Sequence, residues 1–303
     1  MIHEYALDPD AISDWQSFRF FVDQFGTSQG RLISQFPKKW KKLVYQAVER
    51  KQPSPINRAR IEEKLKSIDP LLLEQRREYD GEKNWSVNAV EQNGTLPFHA
   101  IITADGTVGG PTVLKADKVN SAEPLWAIGN QRAVERTATA LCDAIRPLLD
   151  VSSVIKFIDP HFDPEAYRFR ESLAVFAQVF SNRLSDVRLE YHFLDNGHKP
   201  LFDAAFQRTC REQLSDLLPT GCELRLVRWR ERGGGEDFHA RCVVTDRGGV
   251  LIERGLDTGF EGQTTPVVLL SDTLRVKLWN DFTRNDDLSK CTYDYDNEML
   301  IVG

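Results

Sequence analysis

The chain has 303 residues and a mass of 34.6 kDa, long enough for two compact domains at about 150 residues each. Hydrophobic residues make up 41% and charged residues 28%, too apolar for a disordered chain. Lys plus Arg at 39 against Asp plus Glu at 45 gives a net charge of −6, which excludes a basic field over the whole molecule. Any grip on nucleic acid or an anionic surface must come from a local patch.

No stretch approaches the roughly 20 apolar residues that cross a bilayer. The start, Met1-Ile2-His3-Glu4-Tyr5, has neither the basic segment nor the apolar core of a secretion signal, so a cytoplasmic protein is expected. Five cysteines (Cys142, Cys210, Cys222, Cys242, Cys291) are scattered without a C-x-x-C pair, which points to small buried side chains rather than a disulfide frame or zinc knuckle.

The first 70 residues read mainly as helix. Pro37 precedes Lys38-Lys39-Trp40-Lys41-Lys42, and Trp40, Leu43, Val44 and Ala47 make the apolar stripe of an amphipathic helix with a lysine face. A second helix is expected to start after Pro55 and run through Ile61, Leu65 and Ile68 to the break at Pro70. This segment holds 12 basic and 9 acidic residues, a net +3 inside an acidic protein. Lys38, Lys39, Lys41 and Lys42 are therefore candidates for holding a phosphate backbone, against the alternative of a solvated helix face.

From Trp85 the pattern becomes short β-like runs at Trp85-Ser86-Val87, Phe98 to Ile102 and Val113-Leu114, punctuated by Asn93-Gly94, Asp105-Gly106 and Gly109-Gly110. A linking helix is expected over 130–150. The expected division is thus 1–129 as a helical domain with a little β structure, 130–150 as the linker, and 151–303 as an α/β domain.

After Asp150 strands and helices alternate: a strand at Val154 to Ile158, a helix from Pro164, a strand at Val187 to Leu194, a helix from Leu201, and a strand at Leu224 to Val227. That alternation predicts parallel strands covered by helices. Further strands follow at Arg241 to Thr245 and Val250 to Ile252, so the fold class is α/β with a mixed sheet in the second half.

The segment richest in chemistry is Phe238-His239-Ala240-Arg241-Cys242-Val243-Val244-Thr245-Asp246, followed by Arg254-Gly255-Leu256-Asp257-Thr258. In an extended chain His239 and Arg241, two apart, project from one face, while Asp246 falls at the far end. An imidazole and a permanently charged guanidinium at a glycine-lined rim suit a phosphate. His161, just after the first strand of this half, is a same-chain partner for His239 or a helix-entry residue. Glu190, His192, Asp195 and His198 are metal candidates by residue type, but without tight mutual spacing. His99 reads as a core histidine. Glu253 is a solvated loop charge or an acid/base helper. Glu236 and Asp237 set negative charge beside His239.

The spacing His-x-basic-x4-Asp resembles the HKD signature of the phospholipase D superfamily, with Arg241 in the place of the lysine. The resemblance covers about residues 150–303. It implies His239 as nucleophile or general acid, Arg241 as phosphate clamp, Asp246 in a structural or charge-balancing role, and no cofactor or metal. Gly255, Asp257 and Thr258 stand near the place of that family's Gly-Ser-x-Asn, which is absent. One motif where that family's site uses two implies a two-fold homodimer. The expectation is a metal-independent phosphodiesterase, most simply a nuclease in DNA processing or phage defence, with nucleic acid and a partner protein in a larger complex as candidate partners. The His-x-Arg form before Arg-Gly-Leu-Asp is also similar to the PLD-like C-terminal domain of MIT-domain proteins. That similarity implies the competing reading, a module that binds a phosphate-bearing ligand, a head group or a protein without chemistry.

Overall fold

The computed structural model describes residues 1–182, 187–195 and 201–303. His198 lies outside them. The chain is an α/β protein of two units, Met1–Asn130 and Gln131–Gly303.

In the first unit β1 (His3–Leu7), β2 (Arg31–Ser34), β3 (Leu72–Leu73), β4 (Ala100–Thr103) and β5 (Val113–Lys115) form one sheet in the order β3-β2-β1-β4-β5. Every pairing is parallel. Alternation along the strands sorts their side chains to two faces. Tyr5, Leu7, Ile33, Ala100 and Ile102 pack with α1 (Trp15–Gln24), α2 (Trp40–Lys51) and α3 (Pro55–Lys66) through Phe18, Phe21, Trp40, Val44, Ile61 and Leu65. Ala6 and Ile101 face the other way, onto Ala89 of α4 (Trp85–Asn93).

The helices start where side chains satisfy their free N–H groups. Asp14 accepts from Gln16 and Ser17, and Ser54 accepts from Asn57 with Pro55 at the first helical position.

Two expectations fail here, and one holds only in part. The first 70 residues are mainly helical, but they also carry β1 and β2, short strands of a parallel sheet without polar alternation, which the helical expectation omits. Trp85-Ser86-Val87 is the first turn of α4, entered from Asn84 in an extended conformation. The 130–150 segment is not one helix between the halves. It is β6 (Gln131–Glu135) followed by α5 (Ala138–Val151), capped by Thr137, and both belong to the second unit.

The second unit adds β7 (Val154–Ile158), α6 (Tyr167–Gln178), β8 (Arg188–Leu194), α7 (Ala204–Leu214), β9 (Glu223–Arg230), β10 (Cys242–Thr245), β11 (Gly249–Ile252), β12 (Thr264–Leu269), α8 (Asp272–Asp281) and β13 (Asp294–Val302). Its sheet runs β13-β9-β8-β7-β10-β11-β12-β6. The three strands joined through helices are parallel, and the rest are antiparallel. One face carries Phe157, stacked on Phe176 of α6 with centroids 5.3 Å apart. The other carries Ile158, Val227, Trp229, Cys242 and Val244 against Leu278 of α8 and Phe282. Among the described residues no helix is long and apolar enough to cross a membrane.

Candidate functional site

β7 and β10 are antiparallel neighbours with Ile158 opposite Cys242, so the end of β7 meets the segment entering β10. Phe238, Ala240, Cys242 and Val244 all pack into the α8-side cluster. Alternation therefore turns His239 and Arg241 to the opposite face, the side of Phe157 and Asp159. His239 is exposed and Arg241 half-buried. His161 is exposed at the same end of the strand pair, its backbone N–H bonded to Asp159.

Asp159 organises this end. It is 1% exposed; Oδ1 accepts from the His161 N–H at 2.9 Å and Oδ2 from the Leu256 N–H at 2.9 Å. Burial pushes its carboxyl above the usual range despite these bonds, with nearby Asp257 adding to the rise and Arg241 opposing it. Gly255 crosses between these groups at φ +101°. A Cβ there would lie 2.7 Å from Asp159 Oδ2, 3.0 Å from Asp257 Oδ1 and 3.5 Å from Arg241 Cδ. Only glycine fits both that φ and that space.

Two further guanidinium groups complete the cluster. Asp257 Oδ1 accepts from Arg136 at 2.6 Å, and its Oδ2 is 3.1 Å from Arg168 Nε. Arg241 donates from one terminal nitrogen to the Glu253 carbonyl at 3.2 Å. The Nε atoms of Arg136 and Arg241 are both buried with no acceptor among the described residues. Three guanidinium groups surround two carboxylates, one of them held toward its neutral form.

The candidate residues divide accordingly. His239, Arg241, His161, Gly255 and Asp257 come to one end of β7. Asp257 acts there as a clamp on two arginines, not as a free ligand group. Thr258 is tied to Glu171 at 2.9 Å through its hydroxyl.

Asp246 stands apart. Its Oδ1 accepts from Ser153 and Val154 at the start of β7, and seven extended residues at about 3.3 Å each put it roughly 20 Å from His239. It fastens the strand and cannot share a reacting atom with that imidazole.

The lysines belong to the first unit, where Lys38 is 3.2 Å from Glu74 and Lys41 2.6 Å from Asp69. Lys39 sits at the N-cap position of α2 without a side-chain capping bond, and Lys42 lies in its first turn.

Glu190 and His192 are buried side by side, with His192 Nε2 3.1 Å from Glu190 Oε2. Asp195 is 3.2 Å from Arg230. Among the described residues no group of three or more His, Cys, Asp and Glu is placed to hold a metal ion. His99 is half-buried, packs against the tilted His3 ring and is bonded to the Leu125 carbonyl, as a packed histidine should be.

No local pattern marks Arg136 or Arg168, which lie 121 and 89 positions before Asp257 and meet it only in the fold. It also hid a second place of interest. In the first sheet β1 is flanked by β2 on one side and β4 on the other, the point where parallel α/β sheets open a crevice. A cavity of about 490 Å³ there is lined by Asp10, Asp14, Ala104 and Asp117. Asp8 is buried at its edge, where it accepts from the Asp10 and Ala104 N–H groups, and burial raises its carboxyl.

No protein-family model matches the chain, and no curated protein matches it. Among solved structures, the archaeal chromatin protein TrmBL2, described as showing a novel mode of DNA binding, overlaps it with 11% identity and a TM-score of 0.28. The overlap covers 60% of this chain and 59% of that one, under two thirds of its length. So low a TM-score carries no argument about fold or binding.

Proposed function

We propose that the end of β7 is a phosphodiester site, and that the protein is a metal-independent phosphodiesterase of the phospholipase D kind acting on nucleic acid. The observation that carries this reading is the joint placement of His239 and Arg241 on one face, at the end of β7 where Arg136 and Arg168 also gather around Asp257. A bound tetrahedral anion would meet the positive charge collected there.

In the proposed reaction an imidazole nitrogen of His239 attacks phosphorus and forms a P–N bond. The P–O bond to the leaving group breaks, and that oxygen takes a proton from a second imidazole. Water then cleaves the P–N bond. Arg241 holds the nonbridging oxygens. His161, at the same end of the strand pair, serves as the second imidazole within one chain, whereas a homodimer would bring a second His239. Native mass measured alongside His161→Ala separates these. Lys39 and Lys42 of the first unit would make phosphate contacts of their own, and each removal should lower the salt slope of nucleic-acid binding by about one.

A second reading, a phosphate-binding module without turnover, draws on one observation. Among the described residues neither the His161 nor the His239 ring has a hydrogen-bond partner to orient it. The deciding experiment incubates the protein with bis(p-nitrophenyl) phosphate and with labelled single- and double-stranded DNA and RNA, in EDTA. Cleavage lost in His239→Ala supports the enzyme, binding without turnover supports the module, and cleavage only on adding a divalent metal overturns the first reading.

A further inference from the structure

The face of the second sheet away from His239 holds a cavity of about 480 Å³ beside α8. This is within the size range of small-ligand pockets. Its floor is polar and fully committed. Lys156, 2% exposed, donates from Nζ to the Phe282 carbonyl and Thr283 Oγ1 at 2.7 Å each, and to the Trp279 carbonyl at 3.3 Å. Trp229 donates its indole N–H to His192 Nδ1 at 3.0 Å, which leaves the His192 Nε2–H to Glu190. None of these groups needs a ligand, so the floor is a rigid platform rather than a gap in the packing.

The walls and rim differ. Trp279 and Tyr295 stand half-exposed around the opening. Glu190 at the floor is matched by Arg188 at 3.0 Å, and Glu298 at the rim by Arg225 at 2.6 Å. Arg284 is exposed, lies 4.6 Å above the Tyr295 ring, and has no carboxylate partner among the described residues. Four cationic side chains therefore face two carboxylates. A ligand that satisfies both features needs a flat ring to stack and a negative charge to meet the surplus guanidinium.

We propose that this cavity binds a small anion bearing a heteroaromatic ring, the chemistry of a nucleoside monophosphate, with the ring against Trp279 and Tyr295 and the phosphate at Arg284. The site lies on the opposite sheet face from the phosphodiester site and does not depend on that reading.

The test titrates the intact protein with AMP, adenosine and inorganic phosphate, followed by tryptophan fluorescence and calorimetry. The expected result is saturable AMP binding at least about tenfold tighter than either fragment. Arg284→Ala, at an exposed position that leaves the core untouched, should weaken AMP at least about tenfold without changing the melting temperature. Trp279→Leu should weaken AMP and adenosine alike. Arg241→Ala should leave AMP affinity within twofold, which separates this site from the phosphodiester site. Absence of saturable AMP binding, or binding lost in Arg241→Ala but kept in Arg284→Ala, overturns the proposal.

Discussion

Asp159 and Leu256, 97 positions apart in sequence, are joined by a 2.9 Å hydrogen bond from the Leu256 N–H to the carboxylate. The same carboxylate takes the His161 N–H, so one buried side chain fixes the relation between the chain leaving β7 and the loop after β11. Asp159→Asn keeps one carbonyl oxygen but turns an NH2 toward the other donor. The variant is predicted to lose about 1–3 kcal/mol of stability, read by urea denaturation. An Asp whose folded pKa is raised binds its proton more tightly when folded, so its burial weakens the fold as pH rises past about 4. Wild type minus variant should therefore be larger at pH 4 than at pH 7.

Gly255→Ala tests the crossing above that carboxylate. The φ of +101° and the 2.7 Å approach to Asp159 Oδ2 leave no room for a methyl group. The strain should cost about 1–3 kcal/mol and push on the Asp159 and Asp257 carboxylates, weakening phosphodiester binding more than a surface substitution of equal cost. A melting temperature and affinity equal to wild type would contradict the packing described.

Arg241 should tolerate lysine better than alanine. Arg241→Ala is expected to slow cleavage about a hundredfold or more, and Arg241→Lys to recover much of that, since a point charge still binds phosphate but lacks the planar fork. Equal rates for the two variants would remove the guanidinium from the site.

The Trp229–His192–Glu190 chain predicts an acid-labile second unit. Side-chain bonding from His192, aided by nearby charges, overcomes burial and holds Glu190 at about 2, while burial lowers His192. Both groups bind protons less readily when folded, so stability is lost through His192 as pH falls below about 6.5, and through Glu190 as pH falls from about 4.5 to about 2. Glu190→Gln should remove the carboxylate's own loss between about pH 4.5 and 2 while leaving the His192 loss in place, measured by chemical denaturation.

Much of the second unit was legible because its strands and helices alternate as apolar runs and amphipathic stripes, from Val154–Ile158 to Glu223–Arg230. The first sheet was not. Arg31–Ser34 is buried at every residue but holds only two apolar side chains, Leu32 and Ile33, too short a run to tell a strand from a helix. Gln131–Glu135 is mostly exposed and polar, and pairs with β12 alone, so nothing local distinguishes it from a helix start. At the site the i, i+2 spacing placed His239 and Arg241 together and Asp246 at the far end. Arg136 and Arg168 carry no local mark, because their role arises only from long-range pairing with Asp257.

The central claim is a covalent bond between phosphorus and His239. Protein turning over a radiolabelled phosphodiester in EDTA, quenched in alkali and digested, should carry an acid-labile, alkali-stable label on the peptide containing His239, and His239→Ala should carry none. Turnover that proceeds unlabelled and survives His239→Ala would contradict the account.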